Sequence, residues 1–436
     1  MARPSSFQLI AALAHRDFRL FWAGSALSIS GRQTSMVAMA WLLFDLTGSP
    51  LQLGLLGFFR FVPALVLGLV GGVAADKADR RLLLIGTGLG GAAIFAALGT
   101  VTLTGSVQVW HVLAAAFLAS SVGAFEGPSR QSIFPHLIDR RDLTNAVALT
   151  ASINPSVRIV MPLAAGIAID RLGEAYTGVA AVLLVIAGMY VVSSYLLFRV
   201  HMPRLQGALG SGVQNVVAGI RYVRSNHVFA FLLLMAYVWG FFGQSYTILL
   251  PVFASAINEE ASGVILGSLH SISGLGGIVG ALGSGALRSL PRPGLVIVAM
   301  GVAFGATVTG FGFSPWYGLT LFLLMLASMS HEIFGVTAMS ILQRGLDDEY
   351  RGRVMGLWGM QFSVLHALGN LQIGALALFL GAPVTVAVAG AIVAAFAVFV
   401  AGTDRQIRGL RHEPRLGAAD SSAGRGTSTP PGRETT

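Results

Sequence analysis

The sequence predicts an all-α polytopic membrane protein with twelve transmembrane helices in two six-helix halves. Three observations carry this. Apolar runs recur from residue 18 to about 402. Each approaches the ~20 residues that cross ~30 Å of hydrocarbon at 1.5 Å per residue. Arginine and lysine alternate between the loops that join those runs. A weak internal repeat relates the first six runs to the last six. The 436 residues are 54% hydrophobic and 11% charged, with a mean hydropathy of +0.74. A water-soluble domain could not hide that much apolar surface. The alternating ten-residue segments of a membrane β-barrel are missing.

The runs fall at about 18–44, 51–75, 82–104, 107–128, 148–169, 175–198, 228–254, 263–287, 294–313, 316–343, 353–380 and 383–402. The first is preceded by Arg3 and Arg16. It is too long for a signal peptide and lacks a small-residue cleavage site, so it reads as a retained helix. Several runs are rich in Gly and Ala, as in GLGGIVGALGSGA. Small residues let helix backbones approach closely inside a membrane.

The basic residues test the count. With twelve spans, 23 of the 28 Lys and Arg residues fall on the side of the N-terminus. One, Arg171, falls on the other side, and Arg19, Arg32, Arg60 and Arg158 lie inside or at the ends of spans. The positive-inside rule then puts both termini in the cytoplasm. The net charge of +9 is thereby read as topology, and no nucleic-acid partner is expected. The absence of cysteine excludes disulfides, thiolate metal sites and cysteine nucleophiles.

The longest internal loop divides the chain. Residues 1–198 form an N-terminal six-helix half, 199–227 a cytoplasmic linker, 228–402 a C-terminal six-helix half, and 403–436 a disordered cytoplasmic tail rich in Pro, Gly and Ser. Within the linker, Val213, Val216, Val217, Ile220 and Val223 recur at helical spacing beside Arg221 and Arg224. This reads as an amphipathic helix on the cytoplasmic leaflet. DRRDLTNAVAL (139–149) and DDEYRGRVMGL (347–357) follow the fourth and tenth runs with an offset of 208 residues. Two related halves suit a secondary transporter.

One short loop stands out. GGVAADKADRR (71–81) sets five charged side chains between two apolar runs and contains the sole lysine, Lys77. The spacing Gly72, Asp76, Lys77, Arg80, Arg81 resembles the loop signature of the major facilitator superfamily. That pattern prefers Gly where this chain has Asp79. The segments 18–65, 127–149, 292–301 and 351–359 resemble the drug and siderophore exporter branch, which includes the enterobactin exporter and macrolide efflux proteins. The resemblance covers nearly the whole chain and implies the major facilitator fold. It also implies that the loop is a cytoplasmic gate latch in which Asp76 pairs with a cation near the inner end of the fourth or eleventh span; by position Arg130 is the first candidate partner and Arg353 the second, and a static turn is the alternative. A Gly-Pro pair of related antiporters appears here as Met161-Pro162.

Ionisable residues inside a membrane are costly and mark function. By position, Arg32, Arg158, Glu332 and His366 are central, Arg60 lies in an outer half, and Glu126 lies near an inner end. Glu332 is the single acidic residue near a midplane. It is the first candidate for a coupling proton, with His366 and Glu126 beside it; a structural ion pair with Arg158 is the alternative. Arg32, Arg60 and Arg158 are candidates for a cavity that attracts an anionic cargo, and an Arg32–Glu126 contact would weaken that inference. Trp41, Trp239, Tyr246, Trp316 and Trp358 are expected mostly in interfacial belts.

Glycine-rich stretches lack the Lys-Ser/Thr of a nucleotide loop, and the nine histidines lack metal-ligand spacing. No enzyme, cofactor or metal is expected. The expected partners are a small-molecule substrate, protons and membrane lipid, with a monomeric chain in a bacterial inner membrane. The expected activity is proton-coupled export. A lipid flippase of the same fold, or a non-transporting sensor or scaffold, are the alternatives.

Overall fold

The structure, a computed structural model, describes residues 12–75, 79–133, 136–172, 176–201, 214–287, 290–404 and 409. No strand occurs among the described residues. The helices are α1 (Arg16–Thr47), α2 (Pro50–Ala75), α3 (Arg80–Leu103), α4 (Val109–Gly123), α5 (Glu126–Ile133), α6 (Leu143–Arg171), α7 (Thr177–Phe198), α8 (Gln214–Ser225), α9 (His227–Val238), α10 (Leu250–Ile257), α11 (Ser262–Leu287), α12 (Pro293–Gly312), α13 (Tyr317–Gly345), α14 (Asp348–Met360), α15 (His366–Leu380) and α16 (Ala382–Thr403). Nine helical rods among the described residues are long and apolar enough to cross a membrane, and α4 is a shorter apolar helix. Helix α1 has ample length at 32 residues, but Arg16, Asp17, Arg19, Arg32 and Asp45 dilute its apolar character.

Two rods change their winding midway. A π-helical segment, Trp239–Gly243, and a 3-10 segment, Gln244–Leu249, join α9 to α10. Another π-helical segment, Gln361–Leu365, joins α14 to α15. Such insertions disturb the regular hydrogen-bond ladder and recur at functional sites. The two face each other, because a Cβ added at Gly240 would lie 3.1 Å from the Gln361 carbonyl oxygen.

Asp79, which departs from the family pattern, has a local task. Its carboxylate accepts the Arg81 N–H at 2.9 Å and caps α3, satisfying one of the free donors at a helix start.

Helices α1–α7 pack among themselves, chiefly α3 on α7, α1 on α6 and α7, and α2 on α4. Helices α9–α16 do likewise, with α12 against α16 and α13, and α11 against α13. The two groups meet along α6/α11 and α2/α15. Both seams depend on glycine. A Cβ at Gly166 would lie 2.1 Å from the Gly263 carbonyl oxygen, and one at Gly267 would lie 2.4 Å from that of Pro162. A Cβ at Gly54 would lie 2.7 Å from the Asn370 carbonyl oxygen, and one at Gly374 would lie 2.7 Å from the Gly54 Cα. These contacts lie in the later part of α6 and the earlier parts of α2 and α11. They close the end of the bundle that carries the α1–α2 and α10–α11 turns.

The amphipathic helix of the linker is α8, and one face of it docks on protein. Tyr222 stacks on Tyr350 with centroids 4.3 Å apart and donates its hydroxyl to Asp347 Oδ2 at 3.0 Å. Ile220 stays 44% exposed. The belt expectation fails for three aromatics. Trp239, Tyr246 and Trp358 are buried, because Trp239 stacks on Phe334 and tilts against Phe304 and Tyr246 packs against Phe311. Trp316 is exposed, as a belt residue would be.

Candidate functional site

Charged side chains converge in two places. The first is a cavity of about 290 Å³ within the α1–α7 group, lined by Arg32, Arg60, Phe61, Phe95, Glu126 and Tyr190 among others. The break between α4 and α5 sets Glu126 at the start of a new helix and buries it to 4% exposure. A lone carboxylate there would be expensive, and two cations answer it. Arg130, one turn later on the same face, places Nη2 3.4 Å from Oε1. Arg32 of α1 places Nη1 4.0 Å from Oε2. Arg130 also donates to the hydroxyls of Ser25 and Ser28, which ties α5 to α1. Arg60 donates to the Arg32 carbonyl oxygen at 3.3 Å. Among the described residues no carboxylate forms an ion pair with Arg60.

The second place lies where the two groups meet. Arg158 of α6 and Glu332 of α13 both reach α11 at Gly277. A Cβ added at Gly277 would lie 3.9 Å from both Arg158 Nη1 and Glu332 Oε2. No ion pair between this cation and this carboxylate occurs among the described contacts. Arg158 is the charge that acts on Glu332, and it also acts on His270 and His331. Arg60 acts on His270 and His366. His366 also packs on Phe61 of the cavity wall, with ring centroids 4.7 Å apart. Arg158 of one group thus lies near Glu332 of the other at Gly277, and His366 of the second group packs on Phe61, the neighbour of Arg60. Such an arrangement can hold an anion, pass a proton, or do both as the groups move.

The chain matches the family described as transmembrane secretion effectors, a branch of the major facilitator superfamily, over residues 7–414. It belongs to that family. Macrolide efflux protein A of Streptococcus pyogenes is 25% identical over 370 residues, covering 81% of this chain and 87% of that protein. The enterobactin exporter EntS of Citrobacter koseri is 26% identical over 395 residues, covering 89% and 90%. The crystal structure of the nucleoside transporter NupG superposes with a TM-score of 0.71 at 11% identity, covering 88% and 98%, which shows a shared fold. The chain is accordingly a multi-pass membrane protein of a transporter family, not an enzyme.

Within this transmembrane secretion effector the expected site residues separate. Arg158 and Glu332 lie near each other at Gly277, and His366 packs on Phe61 beside Arg60 at the other contact between the groups. Arg32 and Glu126 meet each other, which commits part of the Arg32 charge and leaves Arg60 and Arg158 as the stronger positive pair. In the gate loop, Gly72 lies in α2, while Asp76 and Lys77 fall outside the described residues. Arg80 opens α3. Arg81 donates to the Phe198 carbonyl oxygen at the end of α7 and lies 5.6 Å over the Phe198 ring. Arg130 is held by Glu126 and two serines, and Arg353 sits 3.7 Å from Glu349 and 5.2 Å over Tyr350.

Sequence reasoning missed His270 and Tyr190. His270 had the same signal as Glu332, an ionisable side chain in an apolar run. Tyr190 had none. Its place beside Gly31 and Gly91, and its stacking on Phe95 at 5.9 Å, exist only after three helices assemble.

Proposed function

We propose that the protein is an inner-membrane secondary exporter. It moves a small amphipathic molecule outward in exchange for protons, by alternating access. The observation that carries this reading is the charged meeting place between two helix groups that are sealed together at one end. A ligand bound there would be exposed to one side of the membrane at a time if the groups rock about it. With both termini in the cytoplasm, the sealed end faces outward and the protein is poised to load from inside. The named activities of the relatives, macrolide efflux and enterobactin export, support an exported cargo. The Arg60 and Arg158 guanidiniums, unmatched by paired carboxylates, favour a cargo with an anionic group: a drug, a siderophore or another secondary metabolite.

Glu332 is the proposed coupling group. It faces Arg158 without being locked to it, so an arriving proton or an arriving anion could each change the balance between them. His366, against the cavity wall, and Glu126, held by Arg130, are secondary candidates. The test is substrate-induced proton flux in proteoliposomes under an imposed pH gradient, comparing wild type with Glu332→Gln for anionic, cationic and neutral cargoes. Wild type should carry protons inward with an anionic cargo moving outward. Glu332→Gln should insert normally and lose the proton-driven component. A fully coupled Glu332→Gln removes Glu332 from the mechanism.

A further inference from the structure

The outward seal contains a polar contact that no family signature singled out. Asp170 lies in the last turn of α6, in one helix group. Its Oδ1 accepts the Gly263 N–H at 3.0 Å and its Oδ2 accepts the Val264 N–H at 2.7 Å. Both donors belong to the first turn of α11, in the other group. Donors there have no partner within their own helix, and the helix dipole favours a negative charge beside them. Both carboxylate oxygens are thus used across the seam.

The seat is shaped for this carboxylate. A Cβ added at Gly263 would lie 2.3 Å from Asp170 Oδ1 and 3.0 Å from the Gly166 carbonyl oxygen, so a side chain there and a seated Asp170 are mutually exclusive. The same turn of α11 is held from a second helix, since Trp41 Nε1 of α1 donates to Ser262 Oγ at 3.0 Å. Hydrogen bonds weaken steeply beyond about 3.5 Å. Any separation of α6 from α11 by more than ~1 Å at this end breaks both Asp170 contacts together.

We propose that Asp170 is a gating residue of the transport cycle. Seated on the first turn of α11 it holds the outward face shut, and its release is a required step in opening that face to discharge cargo. The α11 amides then lose their partner and the Asp170 carboxylate passes into water. The device rests on the alternating-access reading above, and the experiment separates the two.

The chain has no cysteine, so reporter cysteines meet no background. The full-length protein carries Thr104→Cys and Glu260→Cys, two exposed positions at the sealed end on opposite groups, with a spin label on each, in lipid nanodiscs. Pulsed dipolar spectroscopy reads the distance distribution. Wild type should show a dominant short and a minor long population. Asp170→Asn removes the charge and should shift the ratio toward the long population roughly ten-fold, within the range for losing a charge-assisted hydrogen bond. Gly263→Ala keeps the charge but fills its seat, and should shift the ratio the same way. A residue that merely stabilised the fold would lower the melting temperature and leave the ratio alone. Two populations whose ratio ignores both variants would overturn the gating role of Asp170 and leave alternating access standing. A single population in wild type at all pH values and cargo loads would overturn both.

Discussion

The two seams that close one end of the bundle are alike in shape and unlike in chemistry. Both use rows of residues spaced about four apart, the row that packs helix against helix. On α6/α11 the row runs from Arg158 through Pro162 and Gly166 to Asp170. On α2/α15 it runs through Gly54, Gly57 and Phe61, facing Gly374, Asn370 and His366. The first seam is bonded. Besides Asp170, Ser271 Oγ donates to the Ile159 carbonyl oxygen at 2.5 Å, beside the carbonyl of Arg158 that Pro162 leaves without its usual helical donor. The second seam is not. Among the described residues no side-chain hydrogen bond crosses it, and the buried Gln52 Oε1 and Asn370 Oδ1 have no partner. Close packing without directional bonds resists compression but slides easily. If the groups rock as proposed, the contrast predicts latching at α6/α11 and sliding at α2/α15.

The largest effect should come from shape, and it should be equal at the two seams. A leucine at Gly54 would meet the Asn370 carbonyl oxygen at 2.7 Å and the Gly374 Cα at 3.0 Å. A leucine at Gly166 would meet the Gly263 carbonyl oxygen at 2.1 Å. Backbone cannot swing aside as a side chain does, and overpacking a fitted contact costs ~1–3 kcal/mol or more. Gly54→Leu and Gly166→Leu should each drive the labelled pair almost wholly to the long distance. A short distance retained in either variant would mean that this seam has slack, and the claimed likeness of the two would fail.

A smaller effect should come from the hydroxyl on the bonded seam. Ser271→Ala deletes one neutral hydrogen bond, worth about 1 kcal/mol, and leaves the glycine row untouched. The long population should rise roughly five-fold, less than for Asp170→Asn, because a neutral donor is weaker than a carboxylate that accepts two amides. A ratio unchanged by Ser271→Ala would confine the latch to the outermost turn.

Most of the fold was legible because crossing a membrane demands length and apolarity, both additive along the chain. The charges that punctuate the runs were legible for the same reason. Direction was not. Hydropathy counts Trp239 and Trp316 alike, yet one is stacked in the core of its group and the other is 73% exposed. The π-helical segments at Trp239–Gly243 and Gln361–Leu365 left no mark in composition, since winding there is settled by the opposing helix. Position along a span found Arg158 and Glu332, and only the packing of α6 and α13 on α11 brings both to Gly277. Asp170 drew no reading from the sequence at all. Its partners lie 93 and 94 residues away in sequence, where no local pattern reaches.

The smallest effect should come from the sliding seam's own polar group, and it bears most directly on the contrast. Asn370 is 1% exposed, its Oδ1 lacks a hydrogen-bond partner, and its side chain fills the space beside Gly57. Leucine has a similar branched shape and no polar atom to strand. Replacing an unsatisfied buried amide with an apolar group of like shape is neutral or mildly stabilising, within ~1 kcal/mol. Asn370→Leu should therefore leave the short population and the melting temperature as they are, or raise both slightly. Asp170→Asn, an equally modest change in size on the other seam, should shift the ratio ten-fold. If Asn370→Leu instead opened the outward end as strongly as Asp170→Asn, the amide would have to be bonded in the working membrane. The seam α2/α15 would then be a second latch, and the division of labour between the seams would be lost.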